Sequence, residues 1–202
     1  KTKTIELDAP LKIYSLTPQS KVRPYSVYEV TASKPGYETT IINGVQIFSG
    51  ETSLQNVYLT VSSPMLKSFK ANVLKTNVID LPPHSLWEGE ESTARNNYLV
   101  NNDRVLPQIA IPEYIIVHDG APSATNVANY YVPFIDYIKN VASSEIYSTW
   151  PKEAIRANIY AILSFTMNRI YTEWYKSQGY NFTITSSPKY DQTYVHNRTI
   201  FK

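Results

Sequence analysis

The stretch VPFIDYIKNVASS at residues 132–144 decides the expected fold of the second half of the chain. Its apolar side chains recur with the i, i+3, i+4, i+7 spacing of one helix face, at Phe134, Tyr137, Ile138 and Val141. Pro133 precedes them, at a position where a missing backbone N–H costs little. The pattern therefore predicts an amphipathic helix that buries one face.

A second and longer helix is predicted directly after it, in WPKEAIRANIYAILSFTMNRIYTEW at residues 150–174. Pro151 and Glu153 both favour a helix start, and Gly179 marks the expected end of the helix. Apolar residues occupy more than one face of this stretch, which predicts a central and largely buried helix.

The first sixty residues predict β-structure. Residues 25–32 alternate between apolar and polar side chains, and the Asn43-Gly44 pair between apolar residues indicates a hairpin turn. Further short strands are predicted at residues 4–7, 11–14 and 54–61. Short strands at about ten-residue spacing are typical of a small β-sandwich.

Together these patterns predict an α+β protein. The expected organisation is a partial β-domain at residues 1–62, a proline-rich and polar connecting segment at residues 63–112, and a helical domain at residues 113–202. Within the last, strands are predicted at residues 114–118 and 181–185. We expect the chain, which opens without Met, to be part of a longer precursor, and the last domain to be incomplete at its C-terminus.

Composition excludes several functional classes. A net charge of +2 gives no reason to expect a nucleic-acid partner, and no apolar run approaches the length of a membrane-spanning helix. The chain has no cysteine, and its three histidines, His84, His118 and His196, are far apart in sequence. We therefore expect no disulfide, no metal and no cofactor.

Glu145 lies in the short stretch between the two predicted helices, beside Ile146, Tyr147 and Trp150. Partial burial there would raise the pKa of its carboxyl, as a general acid working near neutral pH requires. The pattern alone favours the other interpretation, a solvated acid in a turn.

Other candidate residues are weaker on pattern alone. Arg156, early in the second helix, is either a substrate-binding or tuning residue for Glu145 or a surface charge. Gln192 and Tyr194 would share one face of a strand near the C-terminus, which suits hydrogen bonding and stacking to a sugar but equally suits an exposed strand. We interpret His118 as the structural end of a strand.

The segments YIKNVASSE at residues 137–145 and WPKEAIRAN at residues 150–158 resemble the signature of the SpoIID/LytB family, with particular similarity to clostridial spore cortex-lytic enzymes. The resemblance implies a lytic transglycosylase that cuts the MurNAc–GlcNAc linkage of peptidoglycan. It places the catalytic acid/base of the family on Glu145, and it suggests substrate contacts for Arg156, Gln192 and Tyr194.

The resemblance also implies a setting for the protein. Such enzymes join a transthyretin-like or carboxypeptidase-regulatory-like β-domain, here incomplete, to an α/β catalytic domain. They act on spore cortex during germination, outside the cytoplasm, which implies peptidoglycan strands and an activating protease as partners. Some SpoIID-like enzymes carry a Cys/His zinc site, and this chain departs from them because it has no cysteine.

Three functional hypotheses remain open at this point. A transglycosylase needs only Glu145, whereas a hydrolytic muramidase needs a second carboxylate, for which Asp136, Glu153 and Asp191 are weakly supported candidates. The third hypothesis is a peptidoglycan-binding module without catalytic activity.

Overall fold

A computed structural model describes residues 2–9, 25–62, 76–82, 106, 108 and 110–201. The chain has a mixed α and β architecture that divides into two compact units. The described part of the first unit is residues 2–9, 25–62, 76–82 and 197–201; that of the second is residues 106, 108 and 110–196. The predicted strand at residues 11–14 and the larger part of the predicted connecting segment lie outside the described residues.

The elements follow one another along the chain as β1 (Tyr25–Ala32), β2 (Thr39–Phe48), β3 (Ser53–Leu54), β4 (Thr76–Asp80), β5 (Tyr114–His118), β6 (Asn129–Pro133), α1 (Phe134–Glu145), α2 (Lys152–Tyr171), a short 3-10 helix (Lys176–Gln178), β7 (Ile184–Thr185) and β8 (Ile200–Phe201). The predictions of β1, β5 and the first helix are confirmed, although that helix begins at Phe134 rather than at Val132.

In the first unit, β1 and β2 pair antiparallel and β4 joins the other edge of β2 in a parallel register. A separate two-stranded ribbon pairs β3 with β8. The strand β4 falls in the region predicted to be a connection, and β8 belongs to the first unit although it was predicted to belong to the last domain. The predictions of strands at residues 4–7 and through residues 54–61 are wrong, apart from Leu54 in β3.

The Asn43-Gly44 pair does not form a hairpin turn, which corrects the sequence prediction. It lies inside β2, where the register with β1 shifts between Tyr28 and Val30, so that β2 carries one extra residue. Gly44 has a φ of +85°, the left-handed conformation that a β-bulge requires. A Cβ on Gly44 would lie 2.5 Å from the carbonyl oxygen of Leu81. The bulge therefore allows the chain after β4 to approach β2 closely.

The second unit contains the sheet β6-β5-β7, in which β5 pairs antiparallel with β6 and parallel with β7. The helices α1 and α2 pack on each other, and α1 also contacts the sheet. The core between them is formed by Ile115, Val117, Val132, Phe134, Tyr137, Ile138, Val141, Ile162, Ile184 and Tyr194. Burial of these apolar surfaces is the main stabilising contribution to this unit.

The second helix is less buried than its sequence predicts. Only Ile162, Thr166 and Arg169 of α2 are fully buried, and much of its opposite face is solvent-exposed. The helix ends at Tyr171 rather than close to Gly179, because the chain turns at Glu173, which has a φ of +46°. No helix in the described parts of the chain is long and apolar enough to cross a membrane.

We expect Gly44→Ala to destabilise the first unit strongly. The substitution combines the cost of a left-handed non-glycine residue, about 1–2 kcal/mol, with a clash against backbone. Gly36→Ala is the matched control, because Gly36 has a φ of +84° and open space around its Cβ position. Hydrogen exchange of β1 and β2 amides should show greater loss of protection for Gly44→Ala, and equal losses would contradict this role of the bulge.

Candidate functional site

Glu145 is the last residue of α1, and the chain leaves the helix in an extended conformation at Ile146. The apolar face of α1 fixes this end of the helix in the core, through Tyr137 and Val141 among others. The carboxyl thus lies at the negative end of the helix dipole, in a last turn that contains no basic residue. This position disfavours the ionised form of Glu145.

Two groups hydrogen-bond to the Glu145 carboxyl. The backbone N–H of Thr193 donates to Oε1 over 3.0 Å, and the side chain of Asn158, on α2, makes a second hydrogen bond. The site is therefore assembled from α1, α2 and the segment that follows β7.

Asn140 holds this segment beside α1. Its amide donates to the carbonyl of Val195 over 2.8 Å and accepts from the N–H of Val195 over 3.0 Å. This reciprocal pair resembles the pairing of two strands, and it fixes the backbone close to Thr193. Asn140 is 5% exposed, and sequence reasoning gave it no role. The available sequence signal was its spacing, three residues after Tyr137 on the apolar side of the predicted helix.

Burial raises the pKa of Glu145 above its ordinary value of 4.5. The hydrogen bonds from Thr193 and Asn158 act in the opposite direction and offset part of this effect, because they stabilise the carboxylate. Among the described residues, no charged group contributes to the pKa shift of Glu145. The structure thus gives a half-buried carboxyl with an upward-shifted pKa, whereas the sequence pattern had favoured a solvated acid.

Gln192 lies in the interior with 6% of its surface exposed. Its Oε1 accepts from Tyr137 over 3.1 Å and from Thr166 over 2.8 Å, and its Nε2 donates to the carbonyl of Ile162 over 3.2 Å. Gln192 therefore connects α1 with α2.

Tyr194 is 7% exposed and stacks on Tyr137, with ring centroids 5.7 Å apart. The phenol of Tyr137 is fully enclosed, and burial, with smaller contributions from Asp191 and Glu145, raises its pKa well above the usual range. The predicted strand through Gln192 and Tyr194 is wrong, because the structure has no strand at these residues.

Arg156 is exposed on α2 and is not among the groups that hydrogen-bond to Glu145. Asp136 and Glu153 are likewise exposed, each in the first turn of its helix. None of these three side chains is therefore a hydrogen-bond partner of the carboxyl.

Asp191 is fully enclosed and forms an ion pair with Arg169 at 2.7 Å. Its other oxygen accepts from the hydroxyl of Tyr175 over 2.6 Å and from both the N–H and the hydroxyl of Thr185 over 2.8 and 2.6 Å. With its acceptor capacity occupied, Asp191 joins the end of α2 to β7. It is a structural carboxylate.

A second polar cluster lies at the end of β5. Asp119 accepts from the hydroxyl of Ser186 over 3.0 Å, and the hydroxyl of Tyr130 lies 3.4 Å from its other oxygen. The ring of Tyr130 stacks on His196 at 3.8 Å between centroids. Burial lowers the pKa of His196, partly offset by Asp119. His118, at this strand end, was interpreted from the sequence as structural.

A cavity of about 100 Å³ lies elsewhere in this unit, lined among others by Pro112, Tyr114, Glu173 and Phe182. It is smaller than the roughly 300 Å³ at which small-molecule pockets begin, and Glu145 is not part of its lining. In the described parts of the chain, no group of three or more His, Cys, Asp or Glu side chains is arranged to hold a metal ion.

We expect Asp191→Asn to destabilise the second unit by about 3–5 kcal/mol, because it leaves the Arg169 guanidinium buried without its counter-charge. Asp136→Asn is the control: its carboxyl is exposed at a helix start and should contribute no more than about 1 kcal/mol. Urea unfolding followed by the fluorescence of Trp150 and Trp174 measures both. Similar midpoints for the two variants would contradict a structural role for Asp191.

We also expect Glu145→Gln to stabilise the protein at neutral pH. The folded-state pKa of Glu145 is raised, so ionisation costs stability as pH rises above the ordinary value of 4.5. Below that value the wild type and the variant should unfold alike, and the gap should open towards neutral pH. The exposed Glu113→Gln serves as control, and a pH-independent gap for Glu145→Gln would argue against a buried acid.

The comparisons with known proteins add no relative to this site: no family model, no curated protein and no solved structure matches the chain.

Proposed function

We propose that the chain is a peptidoglycan lytic transglycosylase in which Glu145 is the acid/base catalyst. The observation that carries the proposal is the Glu145 carboxyl itself, half-buried at a helix end with its pKa raised by burial. Its position in the family-like signature at residues 137–158 supports the same assignment. The raised pKa keeps part of the carboxyl protonated closer to neutral pH, as a general acid requires.

In the proposed reaction the protonated Glu145 donates its proton to the glycosidic oxygen as the bond from C1 of MurNAc to that oxygen breaks. The carboxylate then accepts the proton of the C6 hydroxyl while the C6 oxygen bonds to C1. The product is a 1,6-anhydro sugar, and Glu145 returns to its protonated state. No water molecule and no second carboxylate take part.

The proposed reaction needs no second carboxylate, and among the described residues no carboxylate contributes to the pKa of Glu145. A hydrolase of the two-carboxylate type needs carboxyl groups about 5–9.5 Å apart. Asp191 is engaged by Arg169, which leaves it unavailable for that role, and Asp136 and Glu153 are exposed and are not among the groups that hydrogen-bond to Glu145.

The remaining site residues have different proposed roles. Arg156, exposed on α2, is free to contact the glycan. Gln192 and Tyr194 are buried, so we assign them to holding the segment that presents the Thr193 N–H rather than to direct sugar contact.

The proposed setting follows the family resemblance. We propose that the first unit is the transthyretin-like β-domain of such an enzyme, that spore cortex is the substrate, and that the protein acts outside the cytoplasm after a protease cleaves its precursor. The paired strands β1, β2 and β4 are compatible with a β-domain of this kind.

The test is digestion of purified spore cortex by the wild type and by Glu145→Gln, with Glu113→Gln as the control. We expect Glu145→Gln to lower the cleavage rate by about 10²–10⁴-fold, the usual contribution of general acid–base catalysis. Mass spectrometry should find anhydro ends in the wild-type and control digests.

Other products identify the alternative functions. Reducing ends would replace transglycosylation with hydrolysis. Binding to cortex without cleavage by the wild type, in a precursor-length protein as well as in this chain, would show a non-catalytic binding module.

A further inference from the structure

Arg198 is a buried cation in the first unit, and the proposed reaction does not use it. Only 6% of Arg198 is exposed, and its Nε is enclosed without a hydrogen-bond partner. Among the described residues no carboxylate is paired with Arg198, whereas Arg169, the other buried arginine, is paired with Asp191. The guanidinium of Arg198 is therefore buried without a counter-charge from this part of the chain.

Hydrogen bonds on both sides of Arg198 fix its place in the first unit. Gln55 donates from Nε2 to the carbonyl oxygen of Asn197 over 3.0 Å, and its Oε1 accepts from the hydroxyl of Thr199 over 2.5 Å. The strand β8 begins directly after Thr199 and pairs with β3. The backbone on either side of Arg198 is therefore held in place, and burial of the guanidinium is a property of this packed segment.

The guanidinium stays charged at neutral pH. Burial lowers the pKa of Arg198 from 12.5 to about 10, and Tyr25 offsets part of this effect. A charge that is taken out of water without a partner is strongly unfavourable, whereas pairing with a carboxylate offsets the loss of hydration. The described residues supply no negative group that would offset the charge of Arg198 in this way.

We propose that Arg198 anchors a carboxylate-binding site in the first unit. Because Nε is enclosed, a ligand reaches the guanidinium at its two terminal nitrogens, from which a planar carboxylate accepts two parallel N–H bonds. The small exposed fraction of Arg198 suits a ligand that presents one compact anionic group, such as acetate or the carboxylate end of a peptide. The site belongs to the first unit, so it is separate from Glu145 and independent of the proposed transglycosylase reaction.

The first test is proton–nitrogen NMR of the arginine Nε–H groups in the full chain, during titration with sodium acetate at constant ionic strength. The Arg198 signal is the one that Arg198→Met removes. We expect it to shift and to saturate with acetate, while the Arg169 signal stays fixed because Asp191 already occupies that guanidinium. Sodium chloride at the same ionic strength should not reproduce the shift. An Arg198 signal that moves with neither acetate nor N-acetylalanine would overturn the proposal.

Two further probes separate the sources of the carboxylate. N-acetylalanine presents the carboxylate end of a peptide, and N-acetylalaninamide is the same molecule without the charge. Saturation by N-acetylalanine at a concentration at least about tenfold lower than that of acetate would identify a peptide end, because contacts beyond the carboxylate add affinity. Similar or weaker binding would identify a small free carboxylate. An equal response to N-acetylalaninamide would overturn the proposal, since recognition would then not depend on charge.

The second test is hydrogen exchange of the β1 and β2 amides that require opening of the first unit. Well above the Kd of acetate, each tenfold rise in its concentration should slow their exchange by about tenfold, by mass action. Arg198→Met should abolish this dependence and still fold, because an apolar side chain in place of a buried ion is often neutral or stabilising. Lys34→Met, which removes an exposed cation of the same unit, is the matched control and should keep the wild-type response. An acetate dependence that survives in Arg198→Met would contradict the assignment to Arg198.

Discussion

The buried carboxylate of Asp191 joins three separate segments of the second unit. It binds Arg169 near the end of α2, Tyr175 in the turn that follows, and Thr185 in β7. A single side chain thereby ties the last turn of a helix to the edge of a sheet. Because Arg169 and Asp191 are both excluded from solvent, the arrangement is stable only while the pair is intact.

This anchor also fixes where the next residues of the chain run. From Asp191 the backbone passes Gln192, whose amide joins α1 to α2, and reaches Thr193, whose N–H meets Glu145. Two residues later, the Asn140 amide of α1 forms two hydrogen bonds with the backbone of Val195. Hydrogen bonds of Gln192, Thr193 and Val195 thus tie this coil segment to α1 and α2, and through Thr193 the segment contacts the Glu145 carboxyl.

Local periodicity was enough to predict β1 and α1 because each has one buried face and one more exposed face, whereas β5 was predicted as a buried strand from its apolar run. The same reasoning failed for Asn43-Gly44, whose local signal is the same in a hairpin turn and in a bulge. The hairpin turn and the bulge are distinguished by contacts with the distant chain, where Leu81, directly after β4, lies close to Gly44. A long-range contact, rather than the local preference of Asn-Gly, therefore accompanies the bulge.

In the candidate site, too, local sequence predicted some features, and contacts between distant residues determined the others. Glu145 was identified through the motif around it, but pattern alone described it as solvated, since Thr193, whose N–H donates to its carboxyl, is far away in sequence. Arg169, Asn140 and Asn158 were missed because a polar residue on a helix is most often a surface residue. Their roles depend on partners that only the folded chain supplies, such as Asp191 for Arg169 and Val195 for Asn140.

The use of asparagine around Glu145 has a physical logic of its own. A lysine or arginine beside the carboxyl would stabilise the carboxylate and lower its pKa, which would remove the general acid. A second carboxylate would raise the pKa of Glu145 further and hold its proton too firmly for the acid step. Neutral amides orient the carboxyl while leaving burial as the main cause of its raised pKa. In the proposed reaction Glu145 gives up a proton and takes one back within a single turnover, and neighbours that carry no charge favour neither state by Coulomb interaction.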